Sequence, residues 1–89
     1  MQSKYLEITF RKGKPLAAYL YFSKKTAVQA VKTEPMASGL IVDYDEKDKP
    51  IGLEILSPQQ VTVSEINNVL SRLSIAPASD AELSPLKAA

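Results

Sequence analysis

The chain opens on strict alternation. Leu6, Ile8 and Phe10 interleave with Tyr5, Glu7 and Thr9, the two-residue period of a strand with one buried face. Arg11-Lys12-Gly13-Lys14-Pro15 then carries turn chemistry, because Gly13 takes positive φ freely and Pro15 cannot donate to a ladder. Ala17 to Phe22 reads as the return strand, with Ala18, Leu20 and Phe22 on one side and Tyr19 and Tyr21 on the other. Ser23-Lys24-Lys25 reads as a turn, and Ala27 to Glu34 as a weaker strand that Pro35 to Gly39 breaks. Gly39 is placed to supply a positive φ before the next strand.

Leu40 to Asp45 and Ile51 to Leu56 give the clearest pattern. Either a two-residue turn at Lys47-Asp48 or a four-residue loop over Glu46 to Lys49 sets Glu46 opposite Lys49, Tyr44 opposite Ile51 and Val42 opposite Leu53. That register gathers Leu40, Val42, Tyr44, Ile51, Leu53 and Ile55 on one face, and a slip of one residue would scatter them. Helical signals follow: a short turn at Ser57-Pro58-Gln59-Gln60, then a capping box from Thr62 to Glu65. Ile66, Val69, Leu70 and Leu73 make one apolar stripe, which Ile75 extends.

These elements predict an α+β fold, a sheet of about five mostly antiparallel strands in successive hairpins with one C-terminal helix on one face. The domain is expected over residues 1–75, with 76–89, rich in Ala, Ser and Pro, as a flexible tail. One helix covers one face, so the other meets solvent or a partner.

Composition narrows the chemistry. With 45% apolar and 24% charged residues the chain is an ordinary globular one, and no apolar run approaches the roughly 20 residues of a membrane span. A cytoplasmic protein without a signal peptide or membrane segment is the expectation. Absence of cysteine removes disulfides, thiol catalysis and thiolate metal sites, and absence of histidine removes the commonest general base. No cofactor-binding motif is visible, and the expected class is non-enzymatic. The net charge of +1 hides a basic first segment (Lys4, Arg11, Lys12, Lys14, Lys24 and Lys25 against Glu7) and an acidic middle.

Two surfaces carry candidate function. Asp43, Asp45 and Glu54 fall on one face of the second hairpin, and Asp43 lies opposite Gly52, whose missing side chain leaves a hollow. Oxygen ligands of this kind suit magnesium or calcium, or an acid/base pair with a hydrolytic role; the plainer account is a solvated hairpin face. Tyr5, Tyr19 and Tyr21 form the second surface, on the outward face of the first two strands. Tyrosine combines large buried area with a polar handle, which suits a homodimer contact or a small protein partner, although the rings could equally pack on a monomer. Nucleic-acid binding through the tyrosines and the basic first hairpin ranks third, because the acidic middle repels phosphate.

The segments Ala17-Ala18-Tyr19-Leu20-Tyr21-Phe22, Gly39-Leu40-Ile41-Val42-Asp43-Tyr44-Asp45 and Pro50-Ile51-Gly52-Leu53-Glu54-Ile55-Leu56 resemble domain-of-unknown-function family 2283, short uncharacterised bacterial proteins. The resemblance runs over about residues 5–58 and is most specific in the second hairpin. Asp43, Gly52 and Glu54 match its pattern; Ala18 stands where the family carries aspartate, and Asp48-Lys49 where it carries an aspartate–glycine turn. The family implies a fold and no activity. Its members are similar in size to antitoxin-like proteins, which by analogy implies a partner-binding role.

Overall fold

The computed structural model describes residues 4–22 and 29–87. Five strands, β1 (Tyr5–Arg11), β2 (Lys14–Tyr21), β3 (Lys32–Ala37), β4 (Leu40–Tyr44) and β5 (Pro50–Ile55), form one sheet in the order β1-β2-β5-β4-β3. Every neighbouring pair is antiparallel. The α+β class therefore holds, but the strands are not a plain run of hairpins: β5 inserts between β2 and β4. The insertion follows from burial. Leu53 and Ile55 are fully buried on one side of β5 and Gly52 is buried on the other, so this strand takes the centre, where both faces are covered.

The first hairpin turns tightly at Lys12 and Gly13, both with positive φ (53° and 78°), the combination that matches strand twist in a two-residue turn. Both strands extend further into the basic segment than the sequence suggests. Pro15 lies inside β2 beside a bulge, with Leu16 as the extra residue between the Thr9–Ala17 and Phe10–Pro15 pairs.

The third strand corrects its expected bounds of Ala27 to Glu34. It runs over Lys32–Ala37 and passes through Pro35, with an irregularity between Pro35 and Ala37. A proline that cannot donate is tolerated because β3 is an edge. The turn expected at Ser23-Lys24-Lys25, and the first residues of the expected third strand, lie outside the described residues. Gly39 does take the positive φ (74°) expected of it.

The second hairpin keeps Leu40–Ile55, Val42–Leu53 and Asp43–Gly52 in register, but Tyr44 faces Pro50 rather than Ile51. The cause is the turn. Asp45 N donates to Lys49 O and Asp48 N to Asp45 O (both 3.0 Å), and Asp48 takes φ 62°. This is a three-residue loop closed by a left-handed residue, so Asp45 rather than Glu46 faces Lys49, and the slack becomes a bulge at Ile51. Ile51 is accordingly only half buried.

Helix α1 (Val63–Arg72) begins at the expected capping box: Thr62 Oγ1 accepts from Glu65 N (3.0 Å) and Glu65 Oε1 accepts from Thr62 N (2.9 Å). Ile66, Val69 and Leu70 join Leu20, Leu53 and Ile55 in a single core. Residues 76–87 do not trail away as a tail. Ser79 and Glu82 form a second capping box that starts α2 (Asp80–Leu83), a 3-10 turn follows over Ser84–Lys87, and Ala78, Leu83 and Leu86 are buried in the same core. Asn67 fastens this return: its Nδ2 donates to Ala78 O (3.0 Å) and its Oδ1 accepts from Ala78 N (2.8 Å). The expected single C-terminal helix is thus one of three helical pieces, and none among the described residues is long and apolar enough to cross a membrane.

Candidate functional site

Alternation along β2 sends Ala18, Leu20 and Phe22 into the core and leaves Tyr19 and Tyr21 on the opposite face. Cross-strand pairing then sets Tyr21 between Tyr5 and Gly52, and Tyr19 between Glu7 and Glu54. The three rings expected there do meet. Tyr5 stacks on Tyr21 with centroids 5.7 Å apart, and Tyr21 meets Tyr19 edge-on at 4.6 Å. Tyr21 donates to Glu7 Oε1 at 3.1 Å, a bond that raises its phenol above the usual range.

Tyr19 reaches diagonally across β5. Its hydroxyl donates to Asp43 Oδ2 on β4 at 2.9 Å, and its ring lies against Gly52 so closely that a Cβ there would run into it. The hollow at Gly52, one candidate seat for a cation in the sequence, is therefore filled by tyrosine. Burial first, then the bond to Asp43 and the charges of Asp43 and Glu54, push the Tyr19 phenol far above its usual range. It serves as a hydrogen-bond donor here, not as a nucleophile.

Asp43 is only 6% exposed, and its second oxygen, Oδ1, is buried without a hydrogen-bond partner. Glu54 stands beside it, and its carboxyl is raised above the ordinary 4.5, first by hydrogen bonding with Asp43, then by burial and the neighbouring charge. The raised Glu54 carboxyl and the unpartnered Asp43 oxygen fit together if Glu54 carries a proton. Ionised Glu54 gives Asp43 nothing to accept, whereas a proton on Glu54 supplies the missing donor.

The sign of the linkage follows. A carboxyl that titrates higher in the folded chain stabilises it fully below 4.5, and that contribution is lost as pH rises through the raised folded value. Glu54→Gln, which cannot ionise, is expected to flatten this alkaline fall in stability, read as the urea midpoint measured from pH 4 to 9. An unchanged profile would mean that Glu54 and Asp43 do not share a proton.

Asp45 is placed elsewhere. Its Oδ1 accepts from Lys47 N (2.8 Å) and Lys49 N (3.0 Å), and those backbone bonds hold its carboxyl below the usual range. The structure thus brings Asp43 and Glu54 together and leaves Asp45 as a turn anchor. Among the described residues no group of three or more acidic side chains is arranged to hold a metal ion. Lys12 and Gly13 make the tip of the first hairpin, and the tyrosine ladder lies among Glu7, Asp43 and Glu54 rather than among the lysines.

The site defines a class: a small α+β domain with helices on one face of an open sheet and an aromatic–acidic ladder on the other. Residues 17–57, from within β2 through β5, match the family described as "Protein of unknown function (DUF2283)". The match takes in Tyr19, Tyr21, Asp43, Gly52 and Glu54; Tyr5 and β1 lie before it. Ala18 is a buried core residue on the opposite face from Asp43 and Glu54. No curated protein and no solved structure matches the chain.

Proposed function

We propose that this is a non-enzymatic interaction domain that self-associates through the helix-free face carrying Tyr5, Tyr19 and Tyr21. The observation that carries the reading is the tyrosine ladder itself. Tyr19 is tied to Asp43 and Tyr21 to Glu7, so the rings are ordered in advance, while Tyr5 at the sheet edge remains 48% exposed. Prearranged aromatic side chains lose little rotamer freedom on docking, so more of their buried area is realised as affinity. The polar groups around them support binding rather than catalysis. The best-placed phenol is held protonated, with its ring packed on Gly52 and its hydroxyl committed to Asp43.

The double variant Tyr5→Ala with Tyr21→Ala removes the accessible rings and spares the Tyr19–Asp43 bond. It is expected to weaken self-association by at least about tenfold, since interface aromatics typically contribute more than about 1 kcal/mol each. Sedimentation velocity over a concentration series, with circular dichroism as a check on folding, reads this directly. Self-association unaltered in a folded variant would remove the ladder from the interface.

A further inference from the structure

The two edges of the sheet are protected unequally. On β3, Pro35 withholds a backbone donor and the register breaks between Pro35 and Ala37, both features that discourage another strand from adding. Strand β1 has neither device. Its seven residues contain no proline or glycine, and the extra residue of the nearby bulge, Leu16, belongs to β2. Its outer edge also leaves apolar surface uncovered on both faces: Tyr5 is 48% and Phe10 is 52% exposed, and Leu6 and Ile8 are only partly buried.

We propose that β1 pairs with β1 of a second copy, antiparallel about a two-fold axis at Ile8, and joins the two sheets into one. The inference rests on the self-association reading above and places the contact at the β1 edge of that face, with Tyr5 in the seam and Tyr19 and Tyr21 beside it on β2. The sequence of β1 is self-complementary in this register. Ile8 meets its own copy, Leu6 meets Phe10, Glu7 meets Thr9 and Tyr5 meets Arg11. Leu6, Ile8 and Phe10 then cover one another on the helix side, while on the open side a guanidinium lies over each Tyr5 ring and diagonal to Glu7. Arg11 has no acidic partner within its own chain among the described residues, so the seam completes its contacts.

Neighbouring registers are worse. An axis at Glu7 sets like charges opposite each other and leaves Phe10 and Arg11 without a counterpart in the seven-residue strand. An axis at Thr9 leaves Tyr5 and Leu6 unpaired. A slip of one residue turns the second copy over and sets apolar positions against polar ones. Lys12 does not clash with the second copy's Lys4, because its φ of 53° carries the chain out of the strand.

The chain contains no cysteine, so one introduced thiol reports without ambiguity. Residues facing each other across an antiparallel pair lie about 4.5–5.5 Å apart at Cα, within disulfide reach. Ile8→Cys should yield a covalent dimer on mild oxidation, whereas Thr33→Cys on the opposite edge should not. On the otherwise unaltered chain, Arg11→Glu should weaken the dimer about tenfold or more, and adding Glu7→Arg should restore most of the loss. These surface changes keep the test decisive even if Ile8→Cys folds poorly. A wild-type dimer that is indifferent to Arg11→Glu would overturn the seam and leave self-association standing. A wild-type monomer would overturn both.

Discussion

A chain cut after Ile75 is expected to lose most of its stability and its sharp thermal transition. The removed segment carries Ala78, Leu83 and Leu86, whose side chains fill the core beneath the sheet, with both leucines fully buried. Truncating a buried leucine to alanine costs about 2–5 kcal/mol, so losing two of them approaches the whole stability of a small domain, about 5–15 kcal/mol. Leu86→Ala alone should cost about 2–4 kcal/mol. Asn67→Ala should act in the same direction more weakly, by about 1–2 kcal/mol, because it strips both backbone partners from Ala78 and leaves the leucines in place. Urea unfolding of the three variants would rank them in that order. A truncated chain as stable as the full one would show that residues 76–89 contribute nothing to the core.

Tyr19→Phe should destabilise the chain by about 1.5–3 kcal/mol, more than loss of an ordinary surface hydroxyl. The bond it removes, to Asp43 Oδ2, is, among the described residues, the one donor contact of a nearly buried carboxylate whose other oxygen already lacks one. Hydrogen bonds to charged groups contribute about 1.5–3 kcal/mol, and stranding a buried acceptor costs its desolvation as well. The ring remains, so packing over Gly52 is preserved and the loss is assigned to the hydroxyl. Adding Asp43→Leu should recover much of the deficit, because removing both partners leaves no unpaired group. Gly52→Ala should reproduce the Tyr19→Phe loss by another route, since its methyl forces the tyrosine off the sheet. Chemical denaturation of these variants checks the set; a Tyr19→Phe loss below about 0.5 kcal/mol would show that the Tyr19–Asp43 bond contributes little.

The face pattern was readable because it is local. Ala18, Leu20 and Phe22 against Tyr19 and Tyr21, and Val42 opposite Leu53, follow from a two-residue period and one register choice. Thr62 and Glu65 announced their helix through a spacing that has one physical use. What escaped was tertiary. Nothing along the chain says that β5 lies beside β2, and without that neighbour the absent side chain at Gly52 reads as space for an ion rather than as a seat for Tyr19. Asn67 gave no sign that its amide would clamp Ala78.

Other differences had legible signals with competing meanings. Pro35 breaks a central strand but not an edge. Asp45 was an acidic side chain on the right face until the turn used its carboxylate for two backbone donors. Ser79 and Glu82 have capping-box spacing, with Leu83 and Leu86 at helical spacing behind them, but the segment is too short for periodicity to stand out from its Ala and Pro background.

The helix-free tyrosine face as a self-association surface is tested most directly by the solution mass of the unaltered chain, measured by light scattering over a concentration series. A rise from 9.7 kDa to twice that value is expected as concentration increases. A mass fixed at 9.7 kDa up to the highest soluble concentration would contradict it.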